Sequence, residues 1–261
     1  MLMLSLKRTV FASVFLAFTL GSTAMALDRH AFVHDVVYAQ EVFSQGNRQE
    51  AIEYWEQRRS AYGGRDGHYE AALADLYARA HMDDFAEETY LEGIALEAGY
   101  PRLYTGLAMV RLRQGNAAEA EQWARRAVNE YPGWWLGYYT LGEISRRVEN
   151  YQEAKVWLDR SLNVEPQAQT HWLMAIVANE LADFPLVVHS MEHAISLDRA
   201  YMADDHGMLV AAYALARLGR FQHAYGALDT LRTSNPEADE NFIRDVERQI
   251  TQLERANVPV D

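Results

Sequence analysis

One spacing in the sequence limits the possible folds more than any other feature, because small and apolar residues recur after 34 positions. The recurring pairs are Leu107 and Leu141, Ala120 and Ala154, Ala127 and Ser161, and Pro132 and Pro166. Four coincidences at one offset indicate an internal repeat. Each copy would then be one supersecondary unit that buries its apolar face against its neighbours.

Each copy carries the pattern of two helices. In the copy from Trp135 to Ala168, apolar and small residues recur every three or four positions on both sides of a polar break at Glu149 and Asn150. The first stripe is Tyr138, Leu141, Gly142 and Ser145, and the second is Tyr151, Ala154, Leu158, Ser161 and Leu162. Proline at 166 ends the second helix. The small residues allow the two helices to approach closely.

This pattern resembles the tetratricopeptide repeat, a 34-residue helix-turn-helix with small, large and proline residues at fixed positions. Two copies fill those positions, with Tyr104, Leu107-Ala108, Ala120, Ala124, Ala127 and Pro132, and with Tyr138, Leu141-Gly142, Ala154, Leu158, Ser161 and Pro166. The resemblance implies an all-α superhelical solenoid of about six repeats, with a concave groove lined by the first helix of each. The expected repeats cover about 29–66, 67–100, 101–134, 135–168, 168–202 and 203–236.

The other copies match the pattern less closely. The first uses Tyr38-Ala39, Ala51-Ile52 and Trp55; the second Leu73, Leu76, Phe85, Tyr90, Ala95 and Leu96; the fifth Met174-Ala175, Phe184, Val187, Met191 and Ala194; the sixth Ala211-Ala212, Ala224, Leu228 and Leu231. The turn-rich segment 60–67 is a possible hinge. A capping helix is expected over 238–255, with Phe242, Val246, Ile250 and Leu253 covering the end of the stack.

The first 26 residues are typical of a secretory signal peptide. Lys7 and Arg8 precede an apolar stretch from Val10 to Leu20, and Ala24-Met25-Ala26 has the small residues that signal peptidase needs. The apolar stretch is short for a bilayer span, which disfavours the alternative of an uncleaved anchor. We therefore expect cleavage after Ala26 and a periplasmic or secreted chain, 27–261. Without cysteine, neither a lipid-modified cysteine nor a disulfide can form.

The charge balance disfavours nucleic acid as a partner. Cleavage after Ala26 would remove two basic residues and leave 22 basic and 37 acidic ones, a net charge of −15. The sequence also lacks a G-x-S-x-G elbow, a phosphate-binding glycine loop and a cysteine nucleophile. No catalytic residues and no cofactor are therefore expected.

One short motif points to a different class of protein. The stretch "HSMEH", His189 to His193, matches the H-x-x-E-H core of inverted zinc peptidases, in which two histidines four residues apart share a metal beside a carboxylate. The repeat register argues against this interpretation, because it places His189, Glu192 and His193 on the outer face of a second helix. A weak metal site at His30 and His34, beside Asp28 and Asp35, is a further alternative to a surface helix end.

The register also predicts which residues line the groove. The best candidates for binding a partner are Tyr139, Arg146, Arg147, Trp172, Asn179, Tyr213 and Arg217. Aromatic rings cover apolar side chains, arginine binds carboxylates with two parallel hydrogen bonds, and asparagine pairs with backbone amides. The alternative is that these rings pack between repeats, and that Arg146 and Arg147 only neutralise Glu143 and Glu149.

The sequence therefore predicts a non-enzymatic protein-interaction scaffold in the cell envelope. It would hold an extended or helical segment of another envelope protein, for instance in assembly of a secretion, pilus, polysaccharide or cell-wall system. Two alternatives stay open. One is a self-assembling homo-oligomer that uses Trp134 and Trp135, and the other is a zinc-dependent hydrolase built on His189, Glu192 and His193.

Overall fold

The computed structural model describes residues 29–61, 67–97 and 99–257, and the predicted signal peptide lies outside these ranges. The helices are α1 (Arg29–Ser44), α2 (Arg48–Ala61), α3 (Gly67–Arg79), α4 (Asp83–Leu96), α5 (Pro101–Arg113), α6 (Ala117–Glu130), α7 (Trp135–Arg147), α8 (Tyr151–Val164), α9 (Ala168–Glu180), α10 (Phe184–Leu197), α11 (Asp205–Arg217), α12 (Phe221–Ser234) and α13 (Glu240–Asn257). A short 3-10 helix, Arg199–Ala203, precedes α11. The described residues contain no strand, and the predicted all-α class is confirmed.

The chain divides into two compact units, of which the first ends at Val110 and the second begins at Arg111, within α5. In the first unit, α1 packs on α2, α2 on α3 and α3 on α4. Its core includes a ring cluster in which Tyr69 lies 5.0 Å from Phe32 and 5.2 Å from Trp55, between ring centroids. Edge-on contacts of this kind add to the stabilisation from buried apolar area.

The first helix pair also buries a charge. Asp35 of α1 is fully buried, and one carboxylate oxygen accepts hydrogen bonds from the Tyr54 hydroxyl at 2.6 Å and from Arg58 Nη2 at 2.8 Å. Both donors lie on α2. Removing Arg58 would leave a buried carboxylate without its cation, which is costly, so this pair fixes how α1 and α2 are paired.

Of the positions predicted for the second repeat, Leu73, Leu76 and Tyr90 are buried, whereas the predictions of Phe85, Ala95 and Leu96 are wrong. Phe85 is 55% exposed and Leu96 is 44% exposed, whereas Ala86 and Tyr90 are buried. Gly93 takes the next buried position, where an added Cβ would lie 2.5 Å from Leu103 Cδ2. Ala86, Tyr90 and Gly93 precede Ala120, Ala124 and Ala127 by 34 residues, so the offset found in the later copies also holds here.

In the second unit, small residues bring α7 and α8 into close contact. A Cβ on Gly142 would lie 2.7 Å from Leu158 Cδ2, and Ala154 is fully buried opposite it. Ser161 Oγ donates a hydrogen bond of 3.0 Å to the carbonyl of Trp135. These three positions have the burial that the 34-residue pattern predicts.

An insertion interrupts the repeat before α11. Ala212 follows Ala175 by 37 residues rather than 34, and the longer connection between α10 and α11 contains the 3-10 helix Arg199–Ala203. Asn235, at the end of α12, holds this segment through hydrogen bonds from Nδ2 to the Ala203 carbonyl at 3.2 Å and to Asp205 at 2.7 Å.

Helix α13 packs against α11 and α12 at the end of the second unit. Ile243 and Ile250 are buried there, while Phe242 is 64% exposed. The expectation that Phe242 covers the stack is therefore wrong, because the buried stripe of α13 passes through its neighbour, Ile243. In the part of the chain that the structure describes, no helix has the length and apolar character to span a membrane.

Candidate partner-binding face of helices α7, α9 and α11

Three first helices of successive pairs lie side by side in the second unit, with α7 against α9 and α9 against α11. All seven predicted groove residues are on these helices: Tyr139, Arg146 and Arg147 on α7, Trp172 and Asn179 on α9, and Tyr213 and Arg217 on α11. We call the surface that carries these seven positions the docking face. The structure gives its members different environments.

Glu143 organises the docking-face residues of α7. Its buried carboxylate accepts two hydrogen bonds from Arg146, at 2.7 and 2.8 Å, and one from Arg147 Nε, at 2.8 Å. Burial raises the pKa of Glu143, but the hydrogen bonds and charges of the two arginines outweigh it and hold the pKa below its ordinary value. Glu143 therefore stays ionised and fixes both guanidinium groups.

The two arginines differ in what they offer a partner. Arg146 is mostly covered and forms a bidentate pair, whereas the Arg147 side chain is 54% exposed. Among the described residues, Glu143 is the only hydrogen-bond acceptor of Arg147 and it receives the Nε–H, so the two terminal amino groups have no acceptor there. One carboxylate shared by two guanidinium groups leaves a net positive charge at this end of α7.

Tyr139 lies one turn before Glu143 on α7. Burial raises the pKa of Tyr139, and the negative charges of Glu143 and of an ionised Tyr201 raise it further. The burial of Tyr201, in the inserted 3-10 helix, raises its pKa to about 12. Both hydroxyls therefore remain protonated near neutral pH and can serve as hydrogen-bond donors.

Arg217 is the second exposed cation of the docking face. Its Nη1 donates to the Tyr213 hydroxyl at 2.9 Å, and its guanidinium lies 4.5 Å from the centre of the Phe184 ring. Tyr213 meets the same Phe184 ring edge-on. No carboxylate pairs with Arg217 within the described ranges, so the rings position this cation without neutralising it.

Trp172 has a structural role in joining two repeats. Its indole N–H donates to Asp204 Oδ1 at 2.8 Å, and the same oxygen accepts the backbone N–H of Gly207 at 2.7 Å and caps α11. A Cβ on Gly207 would lie 2.8 Å from the indole nitrogen. The ring therefore connects α9 to α11, as the packing alternative describes. Asn179, on the same helix, is partly buried.

The "HSMEH" motif lies on α10, outside the docking face. Val187, Met191 and Ala194 are buried, and His189, Glu192 and His193 are exposed, as the register predicts. In the described part of the chain, no group of three or more histidine, cysteine, aspartate or glutamate side chains is arranged to hold a metal ion. The described residues therefore give His189, Glu192 and His193 no shaped three-ligand site, and all three lie on an exposed helix face.

The other histidine pair is only partly described. His34 is exposed, with Nδ1 3.6 Å from Asp35 Oδ1. The side chain of His30 and all of Asp28 lie outside the described residues. The alternative of a metal site at His30 and His34 therefore depends partly on side chains that lie outside the described residues.

Comparison with known proteins identifies the fold. A scan against protein-family models gives no match, and neither does a search of the curated proteins. Solved structures do match, among them the Cut9–Hcn1 hetero-tetramer of the APC/C, with a TM-score of 0.68, 15% identity and coverage of 94% of this chain. The match spans 46% of that longer chain.

Two shorter proteins match over almost their whole length. PilW, a type IV pilus biogenesis factor, has a TM-score of 0.66 and 17% identity, with coverage of 83% of this chain and 98% of PilW. YrrB, a TPR protein with an unusual peptide-binding site, has a TM-score of 0.53 and 14% identity, with coverage of 76% and 99%. The chain has the tetratricopeptide repeat fold.

The tetratricopeptide repeat fold explains which interactions sequence reasoning missed. His171 occupies the repeat position of Tyr104 and Tyr138, so its contact with the second helix of its repeat could have been predicted from the alignment of copies. The hydrogen bond between Trp172 and Asp204 depends on the insertion before α11, for which the 37-residue interval was the available signal. The contact of Arg217 with Phe184 joins two repeats and has no such signal.

Proposed function

We propose that this protein is a non-enzymatic scaffold that binds an acidic segment of another cell-envelope protein on its docking face. The fold supports a role in protein–protein interaction, since stacked helix pairs present extended surfaces of this kind. The finer assignment, to an acidic segment, rests on one observation. Arg147 and Arg217 are held in place by neighbouring side chains while their charges are not fully neutralised.

The chemistry of the docking face favours a carboxylate-bearing ligand. A held guanidinium loses little conformational freedom on binding and offers two parallel donors to a carboxylate. The docking face provides one such group on α7 and one on α11, with the partly buried Asn179 on the helix between them. Asparagine can pair with the backbone of an extended segment at that position.

The envelope assignment rests on the sequence and on one structural neighbour. Residues 1–26 have the pattern of a signal peptide, and the fold is shared with PilW, a type IV pilus biogenesis factor. We therefore propose a periplasmic or secreted location and a partner in an envelope assembly, of which pilus assembly is one example. The alternative is a homo-oligomer, and the crosslinking experiment described next distinguishes it from binding to another protein.

The test is site-specific photo-crosslinking in the native cells. A photoreactive amino acid replaces Asn179 of the docking face, and a matched chain carries it at exposed His189 on α10. Asn179 is preferable to Trp172, whose replacement would remove the hydrogen bond to Asp204. We expect an envelope protein to be captured from position 179 and not from position 189.

Charge variants then test the role of the arginines. Arg147→Ala with Arg217→Ala should reduce capture at position 179 by about tenfold, because each variant removes a charge-assisted hydrogen bond. Arg160→Ala with Arg220→Ala removes the same charge from exposed sites elsewhere and should leave capture unchanged. Capture of a second copy of this chain would favour self-assembly, and equal capture by both double variants would contradict the acidic-segment proposal.

A further inference from the structure

Three imidazole rings meet on the outer side of the pair α9 and α10. His171 of α9 stacks on His193 of α10 with ring centroids 5.0 Å apart and an interplanar angle of 18°. His189, one turn earlier on α10, meets the edge of His193 at 4.4 Å. The contact of neutral rings thus forms part of the packing between these two helices, and we call the three residues the imidazole stack.

Protonation would oppose this packing in three ways. Two imidazolium groups about 5 Å apart repel each other, and the half-buried His171 would lose hydration that its charged form needs. His171 also lies in the first turn of α9, whose N-terminal end carries partial positive charge and disfavours a cation. Burial, followed by the charges of His193 and His189, accordingly lowers the pKa of His171.

The acidic neighbours do not compensate. The charged groups on the elements packed against α9, apart from the other two histidines of the stack, are Glu192 on α10; Glu153, Lys155, Asp159 and Arg160 on α8; Glu165 after α8; Glu143, Arg146 and Arg147 on α7, which pair with one another; and Asp205, His206 and Arg217 on α11. Lys155 pairs with Asp159, Glu165 accepts from Gln167, and Asp205 accepts from Asn235. Arg160 lies over the Trp157 ring, His206 lies beside Trp172, and Glu192 is exposed. Among described groups, only the other two histidines shift the pKa of His171.

We propose that the imidazole stack is an acid-sensitive joint, which holds α9 against α10 near neutral pH and loosens when His171 becomes protonated. Since the folded-state pKa of His171 lies below its unfolded value, its stabilising contribution is complete above about pH 6.5 and is lost as pH falls through the folded value. Trp172 follows His171 on α9 and binds Asp204 at the start of α11. Loosening of α9 therefore reaches the docking face, so the joint would weaken partner binding in acid.

Hydrogen exchange of the whole chain at pH 7.5 and 5.5, with EDTA present and rates corrected for pH, tests this joint. We expect amide protection in α9 and α10 to fall at least about threefold relative to α7 and α8 in the acidic sample. His171→Tyr keeps a stacking ring without a proton to gain in this range, as at Tyr104 and Tyr138, and should abolish the loss. His193→Gln removes the middle ring and should also abolish it.

The control is His223→Gln, which removes an exposed histidine on α12 and should behave as the wild type. An equal acid-dependent loss of amide protection in the wild type, His171→Tyr and His193→Gln would overturn the proposal. Unchanged protection of the wild-type α9 and α10 between the two pH values would also overturn it. Hydrogen exchange is measured without a partner. It can therefore contradict the acid-sensitive joint without contradicting the proposed docking function, and the crosslinking experiment can contradict the docking function without contradicting the joint.

Discussion

Trp172 and Asp204 join the fifth and sixth repeats through one hydrogen bond of 2.8 Å, from the indole nitrogen to a carboxylate that also caps α11. The ring reaches this carboxylate because position 207 is glycine. A Cβ there would lie 2.8 Å from the indole nitrogen and 2.9 Å from Met191 Cε. The packing of Trp172 on α9 and Met191 on α10 against the start of α11 thus depends on the absence of a methyl group at Gly207.

We therefore expect Gly207→Ala to lower the free energy of unfolding by about 1–3 kcal/mol, through overpacking at the joint. The measurement is urea denaturation followed by circular dichroism. Gly226→Ala is the matched control, since Gly226 is exposed in α12 and has no atom within 4 Å of an added Cβ. That change should be neutral or stabilise by up to about 1 kcal/mol, as expected for a helical glycine. Equal effects of the two variants would contradict this account.

The close contact of α7 with α8 gives a second stability prediction. Ala154→Leu places a larger side chain at a fully buried position opposite Gly142 and should destabilise by about 1–3 kcal/mol. Thermal unfolding should show a drop of several degrees, whereas Ala118→Leu, at an exposed site on α6, should melt like the wild type. An unchanged melt for Ala154→Leu would mean that α7 and α8 do not approach at this position.

The lowered pKa of Glu143 predicts a pH dependence of the free energy of unfolding that differs from the one expected for His171. Its pKa is lowered in the folded chain, so the stability it provides is present above its unfolded value, near pH 4.3, and is lost as pH falls below that. Glu143→Gln should destabilise by about 1–2 kcal/mol at pH 6, because it leaves two guanidinium groups without their carboxylate. The difference from wild type should shrink toward pH 3 in urea titrations. A difference that stays constant with pH would indicate that Glu143 is not ionised in the folded state.

The predicted signal peptide can be tested by identifying the first residue of the chain recovered from cells. We expect mass spectrometry of the chain from the envelope fraction to find Leu27 as the first residue. Ala26→Arg should block processing, because signal peptidase needs a small residue there, and the larger precursor should accumulate. An intact Met1 in wild-type cells would contradict cleavage and favour the anchor alternative.

The sequence was sufficient to predict the helices and their pairing, because a 34-residue period at positions such as Leu141 and Ala154 follows from packing of small residues inside each repeat. It also identified the exposed face of α10. In the second repeat, Phe85 and Leu96 were assigned to the core wrongly because they are large apolar residues that the structure leaves exposed, while Gly93 carries no apolar signal.

The roles of the docking-face residues could be predicted only in part. Salt bridges within one helix, such as those of Glu143 with Arg146 and Arg147, follow from intervals of three and four residues. Contacts between repeats do not, since the hydrogen bond from Trp172 to Asp204 spans 32 positions and depends on the insertion. The stack of His171 on His193 likewise requires the relative placement of two helices.

The 3-10 helix Arg199–Ala203 limits how this array can be rebuilt. Most tetratricopeptide modules can be duplicated, deleted or exchanged in steps of 34 residues, because every junction has the same form. Here the step before α11 is 37 residues, and Asn235 in the following module holds the additional turn. Recombination or design at this junction must therefore transfer the inserted turn together with Asn235, which binds it. The fifth and sixth repeats consequently behave as one exchangeable unit.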